Sequence, residues 1–124
     1  MIIRNFRKLE IWNDAIEVVT IVYKLIKKLP NTEKFGLYSQ LSRAVISIPS
    51  NIAEGCAKDS QKEFIRFLKI SLGSSFEVET QIIICIELGY FTKDEGESII
   101  EKINILQKRI NALTKYARTQ ISKA

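Results

Sequence analysis

Apolar residues recur through most of this chain at intervals of four and three, the spacing that gathers them on one face of an α-helix. The pattern is clearest around Arg43–Gly55, where Leu41, Val45, Ile48 and Ile52 form such a face. Arg43, Ser47, Ser50 and Glu54 repeat the spacing on the opposite side. That polar line must meet water, a partner chain or a second buried layer. Pro49 lies inside the stretch and has no N–H for the Val45 carbonyl, so the helix is predicted to kink there, with Ser47 and Ser50 near enough to compensate. Alternatively, Asn51 restarts a helix as its N-cap, with Glu54 three residues on.

Periodicity and capping signals predict four helices. The first covers about residues 8–29 and ends before Pro30. The second starts near Thr32, where Glu33 suits the positive end of the helix dipole, and reaches about Ala57. Ser60-Gln61-Lys62-Glu63 has the form of a capping box and opens a long helix to Leu88, with Gly89 as its stop. Thr92-Lys93-Asp94-Glu95 is a second capping box, opening a helix to about Ser122. No strand-like alternation competes. The short connections favour antiparallel neighbours, so the predicted fold is all-α: one domain over residues 1–124, an up-down-up-down four-helix bundle with its second helix kinked at Pro49.

The fourth helix has a single seam, Ile99, Ile103, Leu106, Ile110, Leu113 and Ala117. The first has two: Leu9, Trp12, Ile16, Val19, Tyr23 and Ile26, and beside it Ile11, Ala15, Val18, Val22, Leu25 and Leu29. So wide an apolar face belongs either to a deeply embedded helix or to one that packs against another subunit. We favour the oligomer. In the third helix Ser71, Gly73, Ser74 and Ser75 are small enough for another helix to approach closely. Glu79 projects with Phe64, Leu68 and Ile82; it either reaches water at the edge of the seam or is partly buried. In the second case it needs a partner, for which Arg43 is the obvious candidate. Such a pair would fix register more than stability.

At 124 residues, with 46% apolar and 27% charged positions, the chain has the balance of a soluble globular protein. It is long enough to bury roughly two-thirds of its unfolded surface. No apolar run reaches membrane-span length, and the first residues lack the apolar core of a secretory signal. Cys56 and Cys85 are isolated, which points to reduced thiols and a cytoplasmic location. The absence of histidine removes the commonest general base, the commonest metal ligand and any Ser-His triad. Glu77 and Glu79 point about 160° apart on a helix, so they form no carboxylate pair. Gly55, Gly73 and Gly89 stand singly, forming no phosphate loop. The expectation is no enzyme and no cofactor or metal.

Charge is the stronger functional signal. The net value is +5. After Glu101 no acid occurs, whereas Lys102, Lys108, Arg109, Lys115, Arg118 and Lys123 follow. Arg4, Arg7 and Lys8 open the chain, and Lys62, Arg66 and Lys69 line one side of the third helix. Residues 77–101 hold seven acids and one base, Lys93. A bundle so divided presents a basic region suited to phosphate backbones. Ordinary solubility is the competing explanation, and no aromatic stacking platform stands out in the sequence.

Leu9-Glu10-Ile11-Trp12, the Tyr23–Pro30 helix end, Gly36–Leu41 and the Arg43–Gly55 run resemble a bacterial four-helix-bundle family. That family was first noticed as open reading frames inside intervening sequences of 23S ribosomal RNA genes. Lys62–Leu68, Gly73-Ser74, Glu77–Gln81 and Leu88-Gly89-Tyr90 continue the resemblance, which covers roughly residues 6–117. It extends to the accessory variability protein of diversity-generating retroelements, a homopentameric barrel that binds nucleic acid and a reverse transcriptase through basic surfaces. The resemblance implies the bundle and a homopentamer, and makes Arg43, Asn51, Glu54, Gly55, Glu77 and Glu79 fold and assembly determinants. Partnership with a reverse transcriptase transfers poorly. Some relatives are called ribosomal proteins, a description that follows the rRNA gene and does not establish a place in the ribosome.

The leading expectation is a non-enzymatic homo-oligomer, a pentamer, that binds RNA or DNA with little sequence preference. Candidate contacts are Arg4, Arg7, Lys8, Lys108, Lys115 and Arg118, gathered where the start of the first helix meets the end of the fourth. The runner-up is a protein-interaction scaffold or accessory subunit whose charge is incidental.

Overall fold

A computed structural model describes residues 4–122; Lys123, one of the basic residues noted above, lies outside them. Four helices carry the chain: α1 (Glu10–Ile26), α2 (Leu37–Cys56), α3 (Gln61–Glu87) and α4 (Lys93–Ser122). No strand occurs among the described residues. Each helix packs on its neighbour in sequence, and α1 returns to pack on α4. The α2–α3 contact is the most extensive and α1–α4 the least. This is the expected up-down-up-down bundle.

The helix ends follow local chemistry, with two shifts from the sequence reading. Leu9 is extended, so α1 begins at Glu10, and Phe6–Lys8 forms a separate 3-10 turn in which the Asn5 side chain accepts from the Arg7 N–H at 3.1 Å. The second helix starts at Leu37 rather than near Thr32, because Asn31–Glu33 makes its own 3-10 turn. Glu33 still serves the positive helix end: its carboxylate accepts from the Leu37 N–H at 3.2 Å. It also accepts from the Tyr90 hydroxyl at 3.0 Å, tying the α3–α4 turn to this corner.

Of the two capping boxes, the second forms whole and the first only in half. Ser60 accepts from the Glu63 N–H at 3.1 Å, while the Glu63 carboxylate turns to Arg66. Thr92 and Glu95 cap reciprocally, at 2.9 and 3.2 Å. Gly89 stops α3 with a φ of 80°, and the Tyr90→Cys85 and Gly89→Ile86 backbone bonds close a Schellman motif.

Pro49 is buried inside α2, and the helix runs on through it. Asn51 is therefore no N-cap: its side-chain amide donates back to the Ser47 carbonyl at 2.7 Å. Ser47 donates to the Ala44 carbonyl, and Ser71 of α3 donates to the Ile48 carbonyl at 2.9 Å in a fully buried contact. Side chains thus serve three carbonyls around the proline, of which only that of Ala44 adjoins the Val45 carbonyl that loses its donor. Ser50 is exposed and takes no part.

Of the two α1 seams, Ile11, Ala15, Val18, Val22 and Leu25 enter the core. The other stays at the boundary: Leu9, Trp12, Val19 and Tyr23 are half-buried, Ile16 is exposed, and only Ile26 is fully covered. The α4 seam is buried at Ile99, Ile103, Leu106, Ile110 and Ala117, with Leu113 half-buried.

Candidate nucleic-acid interface

Ion pairs between α1 and α4 sort the basic residues. Arg109 binds Asp14 at 2.7 Å and reaches Glu10 at 3.3 Å, and Lys102 binds Glu17 at 2.7 Å. Lys28, two residues beyond α1, pairs with Glu95 in the first turn of α4. The hydrogen bonds to Asp14 and Glu17 hold Arg109 and Lys102 above their ordinary pKa values. Two of the six cations after Glu101 are thereby matched by acids of α1. Lys108 is exposed, but it lies two helical turns short of Lys115, midway along the bundle. It does not join the basic end.

That end is built from three segments. The chain before α1 crosses towards the α2–α3 connection, where Arg4 donates to the Lys58 carbonyl at 3.3 Å, bonds Gln61 and lies 4.1 Å above the Phe64 ring. Arg4 is therefore a packing residue as much as a surface cation. Arg7 and Lys8 are exposed beside it, Arg7 lying 5.6 Å from the Phe6 ring. Across the end, α3 and α4 run antiparallel, in a register set by Glu79 of α3 and Gln107 of α4. Counting outward from that bond brings Lys115 level with Ser71 and Arg118 level with Leu68, so that Lys69 and Arg66 each lie within two residues of those levels.

Several cations that sequence reasoning had kept apart thus share one end with Arg7, Lys8, Lys115 and Arg118. Lys58 and Arg66 flank the Phe67 ring at 5.0 and 4.7 Å, and Lys62 and Lys69 are exposed along α3. Glu54, Asp59 and Glu63 are the acids among them; the hydrogen bond from Arg66 holds the Glu63 carboxyl below the usual value. The signal that would have joined these residues was antiparallel topology, which puts the start of α3 beside the end of α4.

Glu79 is partly buried, the second of its two alternatives, but Arg43 is not its partner among the described residues. Glu79 faces α4, where its carboxylate accepts from Asn104 at 3.1 Å and Gln107 at 2.9 Å. Arg43 lies on the other flank of α3, in a shallow groove with Gln40, Ser47 and Glu77. Like Glu54, it is exposed and outside the ion pairs of the described residues. The polar residues Asn104 and Gln107, bordering the apolar seam of α4, were the sequence signal for Glu79's partners.

A family model described as 23S rRNA-intervening sequence protein matches residues 7–112. The chain belongs to that family. A similar solved structure is a protein of unknown function from the S23 ribosomal protein family of Bacteroides thetaiotaomicron VPI-5482. The two are 28% identical, the match covers 85% of this chain and 98% of that one, and the TM-score is 0.78. No curated protein matches the sequence. In this intervening-sequence family member the matched region stops at residue 112, before Lys115, Tyr116 and Arg118.

Nothing in the family or its solved member indicates catalysis. No group of three or more acids and cysteines able to hold a metal occurs among the described residues, and no helix among them is long and apolar enough to cross a membrane. Both cysteines are buried. Burial pushes the Cys56 thiol up, against the opposing charge of Arg4, and pushes Cys85 up to about 11. An unfolded thiol ionises near pH ~8.5. The stabilisation from keeping Cys85 neutral is therefore complete below that pH and is lost as pH rises towards the folded value. The native protein is expected to react slowly with a thiol reagent at neutral pH and to expose two thiols on unfolding. Fast labelling of native protein would contradict this.

Proposed function

We propose that this chain is a non-enzymatic homo-oligomer, a ring of five as the family resemblance implies, that binds RNA through the basic end of its bundle with little sequence preference. The observation that carries the reading is the segregation of charge along the bundle axis. Residues 4–8, 54–69 and 110–122, which meet at one end, hold nine lysines and arginines against three acids. Residues 20–37 and 77–101, at the other end, hold five against eight. Lys8, Lys62, Lys69 and Lys115 are exposed and outside the ion pairs of the described residues. A field of this form draws a phosphate backbone to one end, and each neutralised phosphate releases counterions.

Two separate apolar faces support assembly. One lies between α1 and α2, where Ile16, Tyr38 and Ile46 are exposed beside half-buried Trp12, Val19 and Tyr23. The other runs along α3 through Ile70, Phe76, Ile83, Ile84 and Leu88, around Gly73, where an added Cβ would meet nothing within 4 Å. Two different faces suit a head-to-tail contact, which closes into a ring, rather than a two-fold dimer. Arg43 and Glu54 stand on the α2 flank between them and fit the role of assembly residues.

The test is binding of labelled rRNA fragments and random duplex DNA across a salt series, with the mass measured alongside. The expected mass is five times 14.2 kDa. The logarithm of affinity is expected to fall linearly with the logarithm of salt, with a slope of about −3 for four lysine contacts to a single strand. Absence of binding at low salt, with the ring intact, would remove the nucleic-acid reading and leave a protein scaffold, such as an accessory subunit of a reverse transcriptase.

A further inference from the structure

We infer that the open flank of α4 around Tyr116 is a stacking site for an unpaired nucleobase, which fits the basic end to single-stranded rather than duplex RNA. The inference rests on the nucleic-acid reading above and specifies its ligand.

The site exists because α1 is short. It begins at Glu10, and the chain before it turns away to the α2–α3 connection, where Arg4 is held by Lys58, Gln61 and Phe64. From about Leu113 onward α4 consequently has no helix beside it on that side. At the place where α1 stops, a groove of about 280 Å³ is lined by Leu9, Glu10, Ile11, Arg109, Ala112 and Leu113. That is room for a flat ring rather than for a single water of roughly 30 Å³. Its floor is apolar, and its one charged pair, Glu10 with Arg109, is internally matched.

Tyr116 stands one turn beyond Ala112 on the same face of α4. It is 62% exposed and takes part in no ring or cation contact among the described residues. Lys115 adjoins it, and Arg7 and Lys8 immediately precede the groove residue Leu9. An exposed ring one turn beyond an apolar slot, with cations at both margins, suits a base whose flanking phosphates are neutralised while it stacks. Bases paired inside a duplex present no free face. The other well-exposed aromatics lack this setting. Phe35 is 89% exposed, but it lies at the acidic end; Phe76 sits on the apolar face of α3.

The experiment compares a single-stranded RNA of mixed sequence with its duplex, using the full chain and its variants Tyr116→Ala, Tyr116→Phe and Ala112→Phe. The two Tyr116 variants change an exposed position, and Ala112→Phe fills the groove from an exposed position; thermal melts verify that each folds. Tyr116→Ala and Ala112→Phe are expected to weaken single-strand binding about tenfold, within the range for loss of one base stack. Tyr116→Phe keeps wild-type affinity, duplex binding changes less than twofold, and the salt slope is unchanged. Single-strand affinity within twofold of wild type in Tyr116→Ala, or an equal loss for the duplex, overturns the stacking site while leaving the basic end in place. Failure of the wild-type protein to bind either form overturns both.

Discussion

Replacing Gly55 by alanine is expected to destabilise the protein by about 1 kcal/mol, although alanine is the better helix former. Gly55 is buried in the last turn of α2, against Phe64 and Phe67 of α3. A Cβ there would lie 2.8 Å from the Cβ of Phe67 and 3.4 Å from the Phe64 ring. A clash between two Cβ atoms has no rotamer that relieves it, so one helix must move, and α2–α3 is the most extensive contact in the bundle. Overpacking of this kind costs about 1–3 kcal/mol, and the helix-propensity gain of about 1 kcal/mol offsets part of it. Gly73 supplies the control: its Cβ would meet nothing, so Gly73→Ala in dilute protein is expected to gain up to about 1 kcal/mol. Thermal or denaturant melts of the two variants measure the difference. Gly55→Ala within about 0.5 kcal/mol of wild type, the ordinary range for an inconsequential change, would sink the packing argument.

The largest functional effect is expected from three lysines. Changing Lys62, Lys69 and Lys115 together to alanine should lower RNA affinity on the order of a hundredfold at physiological salt and flatten the salt slope by about 2. The three are exposed and in no ion pair among the described residues, so stability should change by no more than about 0.5 kcal/mol each. A change of the same net charge at the opposite end, in Lys24, Lys27 and Lys34, separates a local site from a general charge effect. Those lysines are also exposed, but they share their end with the acids of residues 77–101. Equal losses from the two triple variants would mean that only net charge matters, and that the basic end is no site.

Local chemistry by itself determined most of the architecture. The 3.6-residue rhythm, the Ser60 and Thr92 caps and the Gly89 stop define α3 and α4 nearly to the residue, because each signal acts within one turn of the backbone it satisfies. The doubled stripe of α1 likewise announced more apolar surface than one bundle covers, and Ile16 and its half-buried neighbours remain at the boundary. The start of α2 was misplaced because Glu33 caps it from a separate 3-10 turn, a contact made across a loop and not along a helix.

Only the tertiary structure decided which charges are free. Lys102 and Arg109 read like Lys108 and Lys115 in the sequence, yet the first two are matched by Glu17 and Asp14, which lie 85 and 95 residues away. Glu79 found Asn104 and Gln107 rather than Arg43, because which flank of α3 faces α4 depends on how the four helices close. The groove beside Tyr116 exists because a 17-residue α1 lies against a 30-residue α4. Periodicity reports the face of each helix; the pairing of faces, and the surface left over where helix lengths differ, arise only when all four pack together.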